Sequence, residues 1–254
     1  MNGSDWFRRC AARVVATSIA ACGMTGSLAG DGGSPSALSQ STPAPPKRPG
    51  DLPKAGEIEP GFAKPEQAGG DACLAQLRAL GAIAEPARAP DAPLEGCGIE
   101  TPVRLLSVAV EGRRTVSFPS KPLLDCVYVL RLSSFIQSLA APLGAATVSA
   151  PIVAVESGPG YECRGRNRDA QAKISAHGKG LALDVSAFVF EGGRRVAVES
   201  QTDAAATAYV KALRAAACGW FTTVLGPGSD AAHASHLHLD IKRHGSSENY
   251  RICQ

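Results

Sequence analysis

Aromatic residues are scarce in this 254-residue chain, where phenylalanine, tryptophan and tyrosine together make up 5%. The core must therefore consist mostly of alanine, valine and leucine, for which a hydrophobic fraction of 44% is sufficient. A strong excess of positive charge is also missing. At a net charge of +3, nothing favours nucleic-acid binding, because proteins that bind nucleic acid usually carry a clustered basic surface. The length allows one or two domains.

Long apolar runs are missing as well. Residues 14–21 form a short run that cannot span a bilayer, which takes a helix of about 20 residues, and no other stretch approaches a transmembrane helix. The short run follows Arg8, Arg9 and Arg13, a pattern typical of an export signal. We therefore predict that residues 1–29 are an export signal and that the rest is soluble outside the cytoplasm, in the periplasm or cell envelope.

Two cleavage points fit this signal. Residues 27–30, "SLAG", have small residues spaced as in ordinary signal cleavage, whereas residues 19–22, "IAAC", resemble a bacterial lipobox that would leave a lipidated Cys22. Membrane contact is expected only through the signal or this lipid. The alternative is an N-terminal tail that results from a misplaced start codon.

Apolar periodicity is missing from residues 30–69, where proline, glycine, serine and alanine dominate. Such a segment cannot bury enough apolar surface to offset the entropy lost on ordering. We expect a disordered tether, or merely an unstructured arm, followed by a folded domain over residues 70–254.

Paired C-x-x-C motifs are missing too, which argues against a cysteine-rich zinc site. Of the eight cysteines, Cys10 and Cys22 fall within or at the edge of the signal. The other six are spread over the folded domain: Cys73, Cys97, Cys126, Cys163, Cys218 and Cys253. In an oxidising compartment they can form up to three disulfides. Proximity in sequence favours Cys73–Cys97, the only pairing that we predict.

Apolar patterns and turn residues predict an α+β domain with a mostly antiparallel sheet and flanking helices. The predicted helices lie within residues 71–82, 123–139 and 203–218; Gly81 ends the first, Pro142 and Gly144 end the second, and Asp203 caps the third. Two hairpins join residues 103–110 to 114–118 and 181–190 to 195–199, and further strands cover residues 147–155, 221–225 and 236–241.

Histidine is rare, with five in the chain, yet three occur in residues 233–240, "HASHLHLD". Side chains on a strand alternate between its two faces. His236, His238 and Asp240 therefore share one face, while the leucines and Ile241 face the core. One of the two neighbouring imidazoles can then bind a metal ion, with the other close by.

A fourth histidine, His177, lies in residues 175–184, "SAHGKGLALD". Its two glycines allow a sharp turn into the strand that carries Asp184. Two imidazoles and one carboxylate are a common catalytic zinc set, in which the fourth position is left to water. Because four of the five histidines fall in two compact motifs, we predict a metal site rather than structural histidines.

Two residues are candidates for binding substrate. Arg164 can stabilise an oxyanion or hold a carboxylate, because its guanidinium matches a carboxylate with two hydrogen bonds; the alternative is a surface salt bridge. Tyr161 can hydrogen-bond substrate or pack against a disulfide of Cys163.

Two further residues are candidates for orienting the metal ligands. Ser175 is placed to orient Asp184 or His177. Asp240 is expected to orient a ligand or to be a charge at the end of its strand. His244, outside both motifs, is expected to be exposed.

Residues 175–184 resemble the S-x-H-x-x-G-x-A-x-D signature of zinc D-Ala-D-Ala peptidases, and residues 233–240 are similar to the second motif of penicillin-insensitive murein endopeptidases. The segment over about residues 73–253 resembles the bacterial extensin-like C-terminal domain family. Two more elements of that family, "YxCR" at residues 161–164 and "C..F..VLGP" at residues 218–227, occur in the expected order.

This resemblance implies a fold like that of hedgehog domains and D-Ala-D-Ala peptidases, with one zinc ion per chain. It implies that His177, Asp184 and His238 bind the zinc. His236 then acts in proton transfer or stabilises the developing oxyanion, and His233 also lines the site.

The chain departs from the carboxypeptidase branch at one position. Ser235 stands where that branch has a glutamate that serves as general base, so the base must be sought in His236 or His233. We expect a monomeric zinc-dependent peptidase, endopeptidase or carboxypeptidase, that acts on peptidoglycan stem peptides or crosslinks. The alternatives are an inactive zinc-containing domain that binds the cell wall, and a zinc-free structural domain held by disulfides.

Overall fold

A computed structural model describes the chain over residues 70–169, 171–245 and 250–254. The predicted export signal and tether lie outside these residues. The fold belongs to the predicted α+β class: ten strands form one sheet, and three helical regions accompany it.

The elements have the following bounds. The strands are β1 (Ala82–Pro86), β2 (Pro102–Val110), β3 (Arg114–Ser117), β4 (Leu123–Asp125), β5 (Ile152–Ser157), β6 (Ala182–Phe190), β7 (Arg195–Ala197), β8 (Thr223–Leu225), β9 (Leu237–Asp240) and β10 (Ile252–Cys253). The helices are α1 (Gly70–Ala79), α2 (Cys126–Phe135), α3 (Ala141–Val148) and α4 (Ala204–Ala217), and a π-helical turn (Ile136–Ala140) joins α2 to α3.

The sheet is mixed, which corrects the expectation of a mostly antiparallel one. Its strand order is β1-β2-β3-β5-β6-β9-β8-β10, with β4 also pairing with β2 and β7 with β6. The pairs β3–β5 and β8–β10 are parallel. Turn signals reveal only antiparallel neighbours in sequence, whereas β3 and β5 are joined by the long helical crossover that parallel pairing requires.

The second predicted helix begins later than the apolar pattern suggests. Leu123–Asp125 forms strand β4 and pairs with β2. Asp125 has an extended backbone, and its side chain accepts a hydrogen bond of 2.9 Å from the backbone N–H of Val127. This N-cap satisfies a free N–H group of the first turn, so the helix starts at Cys126.

The same helix also continues past Pro142 and Gly144, the two residues predicted to end it. Pro142 lies at the start of α3, directly after the π-helical turn, where its missing N–H costs little. A Cβ on Gly144 would lie 2.8 Å from Cε1 of Phe190. The glycine therefore allows close packing of the helix on the sheet, and β5 begins later than predicted.

By length and composition, the continuous helical stretch Cys126–Val148 could cross a membrane, and it is the one such helix among the residues that the structure describes. This corrects the expectation that no further stretch approaches a transmembrane helix. Several of its large side chains, including Tyr128, Leu132 and Phe135, are buried in the core of the domain. A core helix has the same apolar composition for that reason.

Aliphatic residues make up most of the core, as predicted, and the few aromatic residues join them. The ring of Tyr209 on α4 lies 5.3 Å from that of Phe188 and 5.4 Å from that of Phe190, in edge-on contacts that are worth about 0.5–1.5 kcal/mol beyond burial. Leu237 and Leu239 are buried in the same core. The leucine face of β9 is therefore buried in the core, and the opposite face carries the histidine side chain.

Three disulfides are present, as the cysteine count predicts, but the predicted pairing Cys73–Cys97 is wrong. The observed pairs are Cys73–Cys126, Cys97–Cys163 and Cys218–Cys253. Cys73 on α1 meets the start of α2, because these two helices pack together. Cys97 lies in the loop between β1 and β2, which the two strands direct away from α1. It pairs with Cys163, which is distant in sequence.

Peptide mapping without reduction should recover a crosslinked peptide that contains Cys73 and Cys126, and a peptide joining Cys73 to Cys97 would contradict this fold.

Replacing Cys218 and Cys253 together by alanine should lower the free energy of unfolding by about 2–4 kcal/mol. Urea unfolding of the oxidised protein and of this variant measures the difference.

Candidate metal centre

The pairing of β6 with β9 brings two of the predicted ligands together. Asp184 on β6 lies directly opposite His238 on β9. Side chains of directly opposed residues on one face are neighbours in an antiparallel pair. The alternation predicted for β9 is also observed: His238 and Asp240 lie on the same side as Asp184, and Leu237 and Leu239 face the core.

The third ligand candidate, His177, lies in a short turn, Ala176–Lys179, that enters β6. Gly180 ends this turn with φ of 67°, a left-handed conformation that favours glycine. A Cβ at this position would also lie 2.8 Å from the backbone nitrogen of Asp125. The "HGKG" sequence thus turns the chain tightly enough to place His177 beside the strand that follows.

The ligand atoms of these three residues form a small triangle. Nε2 of His177 lies 3.2 Å from Oδ1 of Asp184 and 3.1 Å from Nδ1 of His238. Nδ1 of His238 lies 2.9 Å from the same carboxylate oxygen. The three residues form a group that could hold a metal ion, and the two histidines are buried.

Outer hydrogen bonds fix which ring nitrogen faces the triangle. Nδ1 of His177 lies 2.7 Å from the carbonyl oxygen of Gly160, which can only accept, so Nδ1 carries the hydrogen. Nε2 of His238 lies 3.1 Å from Oδ2 of Asp240 and donates to this carboxylate. In their neutral forms, both rings therefore direct a lone pair at Asp184.

Three converging lone pairs repel one another unless a cation lies between them. A tetrahedral ion with ligands at about 2.0–2.1 Å separates its ligand atoms by about 3.3 Å, close to the distances seen in the triangle. The support of each imidazole by a carbonyl or carboxylate is also the arrangement that commonly orients metal-binding histidines. The residues present therefore fit a divalent metal ion.

A proton can take the place of the metal. Burial alone would lower the pKa of His238, but hydrogen bonds and the charges of Asp184 and Asp240 raise it to about 9. Burial would raise the pKa of Asp184, yet hydrogen bonds from His177 and His238 hold it far below its usual range. A protonated His238 donates to both carboxylates and so relieves the repulsion in the metal-free protein.

The triangle opens on a cleft of about 510 Å³. Four of the chain's five histidines line this cleft, namely His233, His236, His238 and His244. The fifth, His177, is buried beside it and contacts His238. All histidines of the chain therefore belong to one site, including His244, which the sequence predicts to be exposed but which hydrogen-bonds Thr223 at 2.7 Å.

The two candidate catalytic histidines lie next to the triangle. Nδ1 of His233 lies 2.7 and 2.8 Å from the two carboxylate oxygens of Asp230, so its Nε2 is the free acceptor. Nε2 of His236 lies 3.4 Å from Oδ1 of Asp184. Burial lowers the pKa of His236, and neighbouring imidazoles add to the effect against the opposing charge of Asp184.

Arg164 and Tyr161, the predicted substrate-binding residues, occupy different places. Arg164 lines the cleft, and its Nε donates to Oε2 of Glu162 at 2.7 Å. Tyr161 is not among the cleft-lining residues of the described chain. Its hydroxyl donates to the carbonyl of Asp91 at 2.9 Å and ties down a neighbouring loop.

The predicted orienting residues also differ in what they contact. Asp240 supports His238 as described, and its Oδ1 accepts from the hydroxyl of Thr222 and the backbone N–H of Lys242. Ser175 is buried and lines the cleft. Its carbonyl accepts from the backbone N–H of Gly178 and so helps to close the turn that carries His177.

Several residues that line the cleft are not predicted from the sequence. Asp230 precedes His233 by three residues, a spacing that a search for carboxylates near histidines would have found. Arg166 and Lys242 reach the cleft through long-range packing, and no local pattern marks them.

The fold and the donor set together define a disulfide-linked α+β domain with a His–Asp–His site at the floor of a cleft. The chain belongs to the family described as "Extensin-like protein C-terminus", whose sequence profile matches residues 71–254. No curated protein and no solved structure matches the chain.

A metal ion bound to these three residues would compete with a proton for Nδ1 of His238, so metal affinity should depend on pH. Because the pKa of His238 is about 9 in the metal-free fold, each unit below about pH 9 should weaken Zn2+ binding about tenfold. Competition titration with a chelator between pH 6.5 and 9 measures this slope. An affinity that is flat over this range would contradict the proposed competition.

The raised pKa of His238 also makes the stability of the metal-free fold decrease at alkaline pH. A folded pKa raised from 6.5 to about 9 adds stability that is fully present below pH 6.5 and lost as pH rises through about 9. The total effect is about 3 kcal/mol, and urea unfolding in the presence of chelator measures it. His238→Gln is the matched control, in which this pH dependence should disappear.

Proposed function

We propose that this domain is a zinc-dependent peptidase, endopeptidase or carboxypeptidase, that hydrolyses peptidoglycan stem peptides or their crosslinks. One observation carries the proposal: three ligand atoms converge on a common point at the floor of a cleft that three more imidazoles line. A purely structural histidine cluster would need neither the cleft nor the additional imidazoles.

Zinc is the metal that this ligand set favours. Two imidazoles and one carboxylate are the ligand types of catalytic zinc sites with a position left for water or substrate. Bound there, zinc supplies Lewis-acid chemistry that acidifies a water and polarises an amide carbonyl. His177, Asp184 and His238 would hold it.

His233 is the residue best prepared to move a proton. Asp230 accepts its Nδ1–H, which fixes the tautomer and leaves Nε2 to accept a proton in the cleft and later to return it to the leaving amine. Ser235, which has no carboxylate, makes such an imidazole base necessary. Imidazole is the side chain that most often transfers protons in enzymes.

His236 is suited to a different task. It lies beside Asp184, and the lowered pKa of its ring favours the neutral form near neutral pH. A neutral imidazole N–H can donate to the oxygen that gains negative charge when an amide is attacked. We assign His236 to oxyanion stabilisation and His233 to proton transfer.

The cellular location is proposed on separate grounds. Three disulfides among the described residues are typical of exported proteins, because the cytosol keeps thiols reduced. Together with the predicted export signal, they support the periplasm or cell envelope, where peptidoglycan is found. We propose that the domain acts there as a monomer.

A zinc-containing domain that binds cell wall without cleaving it is the second candidate. The hydrogen bonds of two carboxylates in the cleft favour this candidate. Asp230 and Asp240 are both hydrogen-bonded to histidines, so neither takes the place of the general-base glutamate that is replaced by Ser235.

Incubation of purified peptidoglycan with the zinc-loaded protein should release new peptide ends, detected by mass spectrometry. Chelator should abolish the release and added Zn2+ should restore it. His233→Ala should lower kcat by about 10²–10⁴-fold while the zinc content stays at one per chain. Arg195→Gln, which changes a surface arginine paired with Glu156, is the control and should leave activity unchanged.

Two results would contradict the peptidase proposal. Release that persists in chelator would exclude a metal-dependent reaction. Metal-dependent pelleting with peptidoglycan and no new peptide ends would establish the binding domain instead.

A further inference from the structure

Four cations line the cleft that holds the His–Asp–His site: Arg164, Arg166, Arg168 and Lys242. Three carboxylates, Asp184, Asp230 and Asp240, line the same cleft, and each of them is hydrogen-bonded to a histidine. A cation in the cleft that no carboxylate neutralises can attract an anionic group. The four cations differ, however, in whether a carboxylate of the protein already neutralises them.

Arg164 and Arg168 share one carboxylate. Nε of Arg164 donates to Oε2 of Glu162 at 2.7 Å, and Nη2 of Arg168 lies 3.3 Å from the same oxygen. Arg164, which the sequence singles out for binding a substrate carboxylate, therefore already has a partner. The shared carboxylate offsets one of the two positive charges of this pair.

Arg166 and Lys242 have no such partner. Among residues 70–169, 171–245 and 250–254, no carboxylate forms an ion pair with either side chain. Arg166 is exposed and Lys242 is partly buried. These two cations therefore keep positive charge available to a ligand in the cleft.

The backbone holds these two cations beside each other. The backbone N–H of Arg166 donates to the carbonyl of Lys173 at 3.1 Å, and the preceding Gly165 pairs with Ile174 across the same loop. Nζ of Lys242 donates to the carbonyl of Ile174. The end of β9 and the loop that carries Arg166 are thus tied together through Ile174.

The two cations repel each other. Burial lowers the pKa of Lys242, and the positive charge of Arg166 lowers it further. The fold nevertheless keeps both groups at the cleft, where a bound anion would relieve the repulsion. A binding role accounts for two like charges that the fold holds beside each other at the cleft.

We infer that Arg166 and Lys242 form a subsite for a carboxylate of a peptide substrate, distinct from the one predicted at Arg164. This inference rests on the proposed function and adds a substrate requirement: the peptide must carry a free carboxylate near the bond that is cleaved. A guanidinium binds a carboxylate through two hydrogen bonds, and the ammonium adds a point charge.

A carboxylate suits the site better than a phosphate. The same cleft is lined by Asp184, Asp230 and Asp240, whose negative charges oppose a doubly charged group. A singly charged carboxylate held by two cations encounters less repulsion.

The test compares two forms of one acetylated stem tetrapeptide, with free carboxylates and with all carboxylates amidated. Binding of each form to the full chain is measured by calorimetry in chelator, so that no cleavage occurs. The acid form should bind at least about tenfold more tightly. Arg166→Gln and Lys242→Gln should each weaken binding of the acid form about tenfold, which corresponds to about 1.4 kcal/mol, and leave the amidated form unaffected.

Two control variants separate recognition from folding. Lys242→Arg keeps the charge and should restore binding of the acid form, whereas Arg195→Gln outside the cleft should have no effect. The affinity for Zn2+ should be unchanged in Arg166→Gln, because this residue does not contact the metal ligands.

The outcomes are distinct from those of the peptidase test. Equal binding of the two peptide forms, or wild-type affinity of Arg166→Gln for the acid form, would overturn the subsite even if the protein hydrolyses peptides. Inorganic phosphate that binds more tightly than the acid peptide would overturn it in favour of a phosphate-bearing ligand. Carboxylate-dependent binding without any hydrolysis would support the subsite and leave only the peptidase proposal refuted.

Discussion

The structure around the cleft depends on the convergence of two imidazole lone pairs on one oxygen of Asp184. The antiparallel register of β6 and β9 sets this convergence, because it places Asp184 opposite His238. A slip of one residue would move each of these side chains to the opposite face of the sheet. The burial of Leu237 and Leu239 in the core makes such a slip costly, so the same apolar contacts that stabilise the domain also specify the site.

The segments around the cleft are held by contacts that differ in kind. The turn with His177 is fixed by backbone hydrogen bonds and by Gly180, and the Cys97–Cys163 disulfide lies next to it, with its sulfur 3.1 Å from where a Cβ of Gly178 would lie. The C-terminal strand β10 is linked to the end of α4 by Cys218–Cys253. Covalent links thus restrain the irregular segments, while the sheet itself carries Asp184 and His238.

Features that depend on residues close together in the sequence could be predicted. Alternation in "HLHLDI" and the turn-forming "HGKG" are short-range patterns, and they predict a metal site that contains His177, Asp184 and one histidine of the strand. The resemblance to zinc peptidases selects His238 as that histidine, and the fold brings these three residues together. Asp203 also caps α4 as predicted, with its side chain accepting from the backbone N–H of Ala206.

Features that depend on distant contacts could not be predicted in this way. The π-helical turn lets the helix pass Pro142, and close packing on Phe190 explains Gly144; both depend on the tertiary fold. Cysteine pairing follows from which elements meet, and proximity in sequence is a poor guide to it. Lys242 contacts the loop that carries Arg166 through the carbonyl of Ile174, and no composition or spacing reveals this contact.

X-ray absorption spectroscopy at the zinc edge of the zinc-loaded protein tests the central claim most directly, because it reports the atoms around the ion. We predict a four-coordinate shell of nitrogen and oxygen at about 2.0–2.1 Å, with the scattering signature of two imidazoles. In His177→Ala one imidazole should be lost, whereas His244→Ala should leave the spectrum unchanged. A shell that contains sulfur at about 2.3 Å, or one that His177→Ala does not alter, would contradict the account.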